Sequence, residues 1–293
     1  MEIGLSLFGI APRHYRDVAR RAEQVGFESV WIGEHLALPV EIPNTYPYAK
    51  DGHAPVHPGT PLYDPWVTLA DISAGTERIL LGTSVYILPL RHPILTARAV
   101  TTLDRLSGGR VILGAGVGWL EAEYMAVGEN FRNRGRRSEE ILRILRALWC
   151  DEVVEFSGEF YDIPPIRFEP KPRQEGGPPV LFGGESDIAL RRAARIADGW
   201  IGSGAPEPEE LPKLVARLRS LREEAGGAPF ELTTFNRYRP ANLETAQWHR
   251  ELGIDRLNLM PTETPDGRWD VQELVDFVER CGEEIIAPLS QAG

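Results

Sequence analysis

Short apolar runs alternate along the chain with segments whose apolar residues recur at helical spacing. The first run is followed by helical spacing over residues 15–22, and Gly26 marks a helix stop. Every later run is likewise followed by a helical segment. The apolar runs predict eight strands, at residues 3–8, 29–32, 79–88, 110–113, the beginning of 178–187, 199–202, 230–235 and 256–260.

Eight strand–helix units without a linker-like stretch predict one α/β domain over residues 1–293, a (β/α)8 TIM barrel. A doubly wound sheet is the main alternative, but it usually has a glycine fingerprint after its first strand, where this chain has Phe8-Gly9-Ile10. Two segments interrupt the alternation. The proline-rich segment 36–63 predicts a lid over the barrel mouth or a packing loop, and 151–177 predicts a hairpin insertion.

The amino-acid composition limits the kinds of molecule and membrane that the protein is expected to bind. The formal net charge of −11 argues against nucleic acid and anionic membranes, and no apolar run is long enough to span a bilayer. The N-terminus does not resemble a signal peptide. Cys150 and Cys281 lie in helical patterns and predict buried or half-buried free thiols in a reducing compartment, which favours a cytoplasmic protein.

The fifth strand leads through two glycines into an amphipathic helix. Free amides at a helix N-terminus favour an anion, and glycine lets the backbone approach it closely. Ser186 is the predicted N-cap. Glu185 and Asp187 oppose a phosphate unless their side chains point away, and an ordinary tight turn is the alternative. The candidate phosphate cradle consists of Gly183, Gly184, Glu185 and Ser186.

In a barrel, the chemistry is carried by residues at the C-terminal ends of the strands. Glu34 and His35 form an acid–imidazole pair at the end of the second strand, and adjacent residues there face opposite ways. His35 is predicted to give or take a proton, with a loop histidine bonded to backbone as the alternative. His53 and His57 are separated by Pro55, so they share no helix face and no metal site is expected.

The other strand ends are poorer in titratable groups. The glycines after the fourth strand predict a flat surface for a large planar ligand, and Ser138 is the predicted cap of the helix that follows. Strand six ends in Gly202 and Ser203. The candidate ligand-binding residues from strands three and four are Ser84, Val85, Gly114, Gly116, Gly118 and Trp119.

Taken jointly, five stretches resemble the luciferase-like flavin and deazaflavin oxidoreductase superfamily, and more specifically its branch that uses the deazaflavin coenzyme F420. The likeness covers nearly the whole chain. It rests on Gly33-Glu34-His35, 81–85 (LGTSV), 103–110 (LDRLSGGR), 113–119 (LGAGVGW) and 179–184 (PVLFGG).

The resemblance implies a (β/α)8 barrel that binds the cofactor phosphate at the glycine cradle and forms a homodimer. It places a non-prolyl cis peptide at Ser84–Val85, behind the cofactor ring, and puts Glu34 and His35 beside that ring. Sugar-phosphate dehydrogenases of this family carry a catalytic glutamate just after the strand-four glycines. This chain has Trp119 there. The resemblance therefore favours a more apolar substrate than a sugar phosphate.

The sequence thus predicts an F420-dependent oxidoreductase that transfers a hydride between the deazaflavin and a small, fairly apolar organic substrate. His35 would exchange the substrate proton, while Glu34 would orient His35 or hydrogen-bond the cofactor. A monooxygenase that uses flavin mononucleotide (FMN) is the alternative. A protein that binds its cofactor without turnover is a third possibility.

Overall fold

The computed structural model describes residues 1–202, 209–237, 239–261 and 269–291, and Ser203 lies outside these ranges. The strands are β1 (Glu2–Ser6), β2 (Ser29–Ile32), β3 (Leu80–Thr83), β4 (Tyr86–Ile87), β5 (Val111–Gly116), β6 (Val154–Ser157), β7 (Asp162–Ile166), β8 (Val180–Gly183), β9 (Gly199–Ile201), β10 (Glu231–Phe235) and β11 (Arg256–Leu259). The helices are α1 (Tyr15–Val25), α2 (Pro65–Ser73), α3 (Pro93–Leu106), α4 (Glu121–Ala126), α5 (Arg134–Cys150), α6 (Asp187–Ile196), α7 (Glu210–Glu224), α8 (Leu243–Glu251), α9 (Val271–Cys281) and α10 (Ala287–Gln291).

The parallel strands close into a ring, which confirms the predicted (β/α)8 barrel. The sheet runs β3-β2-β1-β11-β10-β9-β8-β5-β4, and an additional pairing of β3 with β5 closes it. The third predicted strand is broken into β3 and β4 by a cis peptide at Ser84–Val85, at the position that the family resemblance implied. A doubly wound open sheet is therefore excluded.

Side chains from several strands fill the barrel interior. Trp31, Ile112, Leu181 and Ile201 form one buried cluster there. A Cβ atom at Gly82 would lie 2.4 Å from the Trp31 ring, so glycine at that position makes room for the indole. The barrel is accordingly a packed core, and its rim is left to carry the chemistry.

The N-terminal ends of the strands are joined by a buried ion cluster. Arg256 is 5% exposed, and its guanidinium pairs with Glu28 at 2.8 Å and also with Glu231. The same guanidinium lies 5.5 Å from the centroid of the Trp31 ring. Arg256 therefore links β11, β10 and the residue before β2 at the end of the barrel opposite the rim.

Two local predictions are wrong. Ser138 does not cap a helix, because α5 already begins at Arg134 after a 3-10 turn at Phe131–Asn133. The Ser138 hydroxyl instead donates to the carbonyl of Gly135 at 2.7 Å. Cys150, the last residue of α5, is exposed, whereas Cys281 is buried and both thiols are free.

Strands β6 and β7 pair as an antiparallel hairpin beside α5. The buried Glu140 carboxylate of α5 accepts hydrogen bonds from the amides of Glu159, Phe160 and Tyr161, at 2.8–3.0 Å. The Glu140 carboxylate thus binds the turn of the hairpin, and the buried Val154 and Ile163 side chains pack the hairpin onto the core. Within the described ranges, no helix combines the length and the apolar character needed to cross a bilayer.

Candidate active site at the barrel rim

A histidine–carboxylate pair lies at the end of the second strand. His35 Nδ1 is 2.9 Å from Glu123 Oε2, and the two side chains are 16% and 1% exposed. The other oxygen of Glu123 accepts a hydrogen bond from the amide of Leu36 at 2.7 Å. Glu123 therefore fixes both the imidazole and the backbone that carries it, and its buried carboxylate assigns the proton on Nδ1 to the shared hydrogen bond.

The Glu34 carboxylate binds residues that follow the third barrel strand, and not His35, which was one of its two predicted partners. Its carboxylate accepts hydrogen bonds from the amide of Ile87 at 2.7 Å and from the guanidinium of Arg91 at 2.5 Å. Burial raises the pKa of Glu34, and the charge of Arg91 opposes that rise. Glu34 thus links the second strand to the broken third strand, and the predicted role of orienting His35 belongs to Glu123. Glu34 as a group that contacts the cofactor stays a prediction.

The glycines after the fourth strand make room for the broken third strand. A Cβ atom at Gly114 would lie 1.8 Å from the carbonyl oxygen of Thr83, and one at Gly116 would lie 2.5 Å from Val85 Cγ2. Gly183 approaches the same side chain, since a Cβ atom there would lie 3.2 Å from Val85 Cγ1. Thr83 and Val85 of the chain itself thus pack against Gly114 and Gly116, and a planar ligand lying against these glycines stays a prediction.

Gly118 and Trp119 lie beyond these two glycines, where the chain leaves the barrel. Gly118 has φ +65°, in the left-handed region that glycine tolerates. The Trp119 ring is perpendicular to the His35 ring, with the ring centroids 6.0 Å apart. Trp119 thus brings an apolar surface next to the imidazole, at the position where related sugar-phosphate dehydrogenases were expected to carry a glutamate.

The segment 36–63 contacts three parts of the rim. The Tyr46 ring lies 5.2 Å from that of Trp119 and 5.4 Å from that of Tyr48. The Tyr48 hydroxyl lies 3.9 Å from the position that a Cβ atom would take at Gly184. The backbone carbonyl of Tyr48 accepts a hydrogen bond from the Arg237 guanidinium. Burial and the nearby Glu185 carboxylate raise the pKa of the Tyr48 hydroxyl. The segment therefore lies across the mouth from the fourth strand to the seventh.

The turn after the fifth strand has the geometry of an anion cradle. Ser186 caps α6 as predicted, with its hydroxyl oxygen accepting a hydrogen bond from the amide of Ala189 at 3.3 Å. Gly184 has φ +117°, and a Cβ atom there would lie only 2.7 Å from the Ala189 side chain. The indole N–H of Trp200 donates a hydrogen bond to the Gly184 carbonyl oxygen at 2.8 Å. The backbone at Gly184 therefore packs directly onto the first turn of α6.

The predicted repulsion by Asp187 is relieved. Its carboxylate pairs with Arg191 at 2.6 Å and with Arg217 at 3.0 Å, both of which lie further along the helices. These two hydrogen bonds lower the pKa of Asp187. With the Asp187 charge paired, the glycine turn and the start of α6 fit a phosphate group, although the Glu185 carboxylate beside Tyr48 still opposes one.

Sequence reasoning missed Glu123. It lies on the short helix α4, outside the strand–helix units that the sequence predicts, and is 88 residues from its partner His35. The only local signal was the short acidic run Glu121-Ala122-Glu123, which also fits an ordinary first helical turn. The barrel mouth therefore carries a histidine–carboxylate pair, aromatic side chains and a glycine turn at a helix N-terminus.

The comparisons with known proteins agree with this arrangement. The family model for luciferase-like monooxygenases matches residues 4–244. An uncharacterized protein of Mycobacterium tuberculosis is 42% identical over 219 residues, which are 74% of this chain and 75% of that protein. An F420-dependent glucose-6-phosphate dehydrogenase of Nakamurella multipartita is 33% identical over 228 residues, covering 76% of this chain and 62% of that protein.

A solved structure shares the architecture. The coenzyme F420-dependent tetrahydromethanopterin reductase of Methanopyrus kandleri superposes with a TM-score of 0.77 over 98% of this chain and 99% of that one. At 17% identity this likeness establishes the fold alone. Because the family model covers most of the barrel, the chain belongs to the luciferase-like monooxygenase family of oxidoreductases.

Proposed function

We propose that the protein is an F420-dependent oxidoreductase that transfers a hydride between the deazaflavin and a small, fairly apolar organic substrate. The observation that carries the proposal is the His35–Glu123 pair, almost buried at the rim and next to Trp119. A bound deazaflavin supplies or accepts the hydride. His35 gives the substrate a proton or takes one from it, because Glu123 occupies Nδ1 and leaves Nε2 for the substrate.

Three parts of the rim are proposed to hold the cofactor. Gly183, Gly184, Glu185 and Ser186 bind the phosphate through the first-turn amides of α6. Val85, between Gly116 and Gly183, supports the ring from behind. The remaining candidate contacts of the ring and its linker are Ser84, Gly114, Gly118 and Trp119.

The proposed substrate class follows from the aromatic side chains beside His35. Trp119 and Tyr46 pack edge to face, and neither offers a cationic group for a sugar phosphate. Desolvation by these rings also strengthens the hydrogen bond between His35 and Glu123. A secondary alcohol, a ketone or an activated alkene of modest size suits such a pocket.

A monooxygenase that uses FMN is the second candidate, because the matching family model is that of luciferase-like monooxygenases. The F420-dependent dehydrogenase among the relatives favours the deazaflavin. Titration of the purified protein with each cofactor separates the two. We expect saturable binding of coenzyme F420, and tight binding of FMN with none of the deazaflavin would exclude the first proposal.

The direct test of the mechanism is His35→Asn. We expect kcat to fall about 10²- to 10⁴-fold while the affinity for the deazaflavin, measured by its fluorescence, changes less than about 2-fold. His53→Asn is the matched control, since His53 is an exposed histidine that contacts Asp51. A wild-type protein that binds the deazaflavin but never reduces or oxidises it would indicate a storage protein.

A homodimer and a cytoplasmic location are also proposed, on the family resemblance and on the cysteine content. Sedimentation equilibrium measures the first, and a species of about 33 kDa would contradict it. Fractionation of the native host measures the second.

A further inference from the structure

The carboxylate that holds His35 is carried by a helix of only six residues. This helix, α4, begins after Leu120, an apolar residue that cannot cap its amides, and its buried side chains are Glu123 and Tyr124. A helix this short is not stable by itself. The position of the Glu123 carboxylate therefore depends on the contacts that hold the rest of α4 and the turn after it.

Tyr124 is the buried aromatic contact of α4. It is 1% exposed and packs with Ile87, Leu90 and Leu36 in a small cluster that is separate from the main core. Its hydroxyl donates a hydrogen bond to the carbonyl of Val117 at 2.5 Å. The cluster thus joins α4 to the loop after the second barrel strand and to the segment after the third.

Arg137 reaches this cluster from α5. Its side chain is 5% exposed, and its guanidinium lies 5.9 Å from the centroid of the Tyr124 ring. The guanidinium forms an ion pair with Glu129, whose amide donates to the Tyr124 carbonyl at 2.8 Å. It also donates a hydrogen bond to the carbonyl of Pro89. One planar group thus binds both the turn after α4 and the segment after β4.

The helix that carries Arg137 is itself firmly packed. It has 17 residues and buries Ile141, Ile144, Leu145 and Leu148 in the main core. Arg137 therefore connects a long, well-packed helix to a short one that packs through few side chains. Without the guanidinium, the turn after α4 loses this bond to α5.

We propose that Arg137 is a positioning residue that acts through Glu123 on His35. The proposal rests on the proposed function, in which His35 exchanges the proton of the substrate. A displacement of about 1 Å at a reacting group is enough to lower a rate by about 100-fold, so an arginine away from the substrate becomes a determinant of kcat. Because its side chain is 5% exposed, Arg137 acts on kcat and not through contact with the substrate.

The first test separates kcat from KM. In Arg137→Met we expect kcat to fall about 10-fold and KM to change less than about 2-fold. Arg137→Lys keeps a cation for Glu129 but lacks the planar group that also reaches Pro89, so kcat should fall only about 3-fold. Arg256→Met is the matched control, because Arg256 is an ion-paired arginine with 6% of its side chain exposed at the other end of the barrel. Equal losses of kcat in Arg137→Met and Arg256→Met would overturn the proposal.

The second test asks whether Arg137 acts through Glu123. A double-mutant cycle combines Arg137→Met with Glu123→Ala. Once the Glu123 carboxylate is absent, Arg137→Met should lower kcat less than about 2-fold, compared with about 10-fold in the wild type. A further 10-fold loss in the double variant would mean that the two residues act independently, and the proposal would be wrong.

The third test needs no cofactor. The amide of Leu36 reports the position of Glu123, because the Glu123 carboxylate accepts its hydrogen bond. We expect hydrogen exchange at this amide, measured by NMR, to be about 10-fold faster in Arg137→Met. The amide of Val180, which donates to the Asp198 carboxylate at 2.7 Å, should exchange as in the wild type. Equal acceleration at both amides would assign Arg137 to general stability, and no change at Leu36 would equally overturn the proposal.

The exchange and the kinetics together separate this proposal from the proposed function. If the protein transfers no hydride but exchange rises selectively at Leu36, the proposed function fails and the positioning of Glu123 by Arg137 stands. If hydride transfer is found while kcat and exchange at Leu36 are unchanged in Arg137→Met, the positioning role fails alone. If Arg137→Met does not fold, Glu129→Gln removes the same ion pair at a carboxylate that is 33% exposed, and both changes should then be about 3-fold.

Discussion

The two ends of the barrel use buried charges for different purposes. At the N-terminal ends of the strands, Arg256 is enclosed between Glu28 and Glu231, so its charge is matched by neighbours from the chain itself. At the rim, the His35 imidazole is held on one side by the Glu123 carboxylate and lies beside the Trp119 ring. The ion cluster at one end of the barrel joins strands, whereas the histidine–carboxylate pair at the other end lies beside aromatic side chains at the mouth.

The largest expected effect comes from breaking the Arg256 ion cluster at the N-terminal ends of the strands. Arg256→Met removes the cation and leaves two carboxylates facing each other, which should lower the free energy of unfolding by about 3–5 kcal/mol. Because the rim lies at the other end of the barrel, kcat of the folded enzyme should be unchanged. Urea unfolding and steady-state kinetics measure the two effects.

Arg21→Met is the control for Arg256→Met, because Arg21 pairs with Glu279 on the surface with both side chains about 40% exposed. Such a pair should contribute less than about 1 kcal/mol. Equal losses in the two variants, or a fall in kcat for Arg256→Met, would mean that the two ends of the barrel are not separate in function.

A second prediction compares two histidines. His249 on α8 is 1% exposed and its Nδ1 donates to the carbonyl of Thr245 at 2.7 Å. Burial lowers its pKa from 6.5 to about 4. Between these two values the unfolded chain binds a proton that the folded chain does not. The free energy of unfolding should therefore fall as the pH drops from 6.5 to about 4, by about 3 kcal/mol from this group.

The check for His249 is urea unfolding of the wild type and of His249→Gln between pH 7 and pH 4. The variant should be less stable at pH 7 and should lose less stability on acidification. His53→Gln, at an exposed histidine, should retain the wild-type slope. A parallel loss of stability in wild type and His249→Gln would show that other groups dominate the acid response.

The sequence predicts the fold better than the site, and Glu34 and Glu123 show why. The strand–helix alternation and the cap by Ser186 are encoded within a few neighbouring residues, and the structure confirms both. The partner of His35 depends on which loops meet across the barrel mouth. Adjacency in sequence suggested Glu34, but the fold turns that carboxylate toward Arg91 and brings in Glu123 from α4.

The same limit explains the glycines of the fourth strand. A run of three alternating glycines signals close approach, but the sequence does not say what approaches. In the fold, the approaching groups at Gly114 and Gly116 are Thr83 and Val85 of the chain itself.

A third prediction compares the effects of the Glu123 and Glu34 carboxylates on kcat and on stability. Glu123→Gln keeps the shape of the side chain but removes the charge that holds His35, so kcat should fall about 10- to 100-fold with little change in KM. Glu34→Gln should mainly lower the free energy of unfolding, because it leaves Arg91 without its closest carboxylate. The reverse assignment, with kcat lost only in Glu34→Gln, would restore the expectation from sequence adjacency.

The smallest expected effect concerns the cradle. Ser186→Ala removes the hydroxyl that caps α6, which should cost about 1 kcal/mol of stability. Asn242→Ala removes the equivalent cap of α8, where the Asn242 side chain accepts from the amide of Thr245 at 2.8 Å, and should cost the same. If the turn after the fifth strand binds the cofactor phosphate, only Ser186→Ala should also weaken binding of phosphorylated deazaflavin, by about 3- to 10-fold, while binding of the unphosphorylated ring compound stays unchanged. Equal affinities in the two cap variants would confine Ser186 to holding the helix and would remove the phosphate from this end of α6.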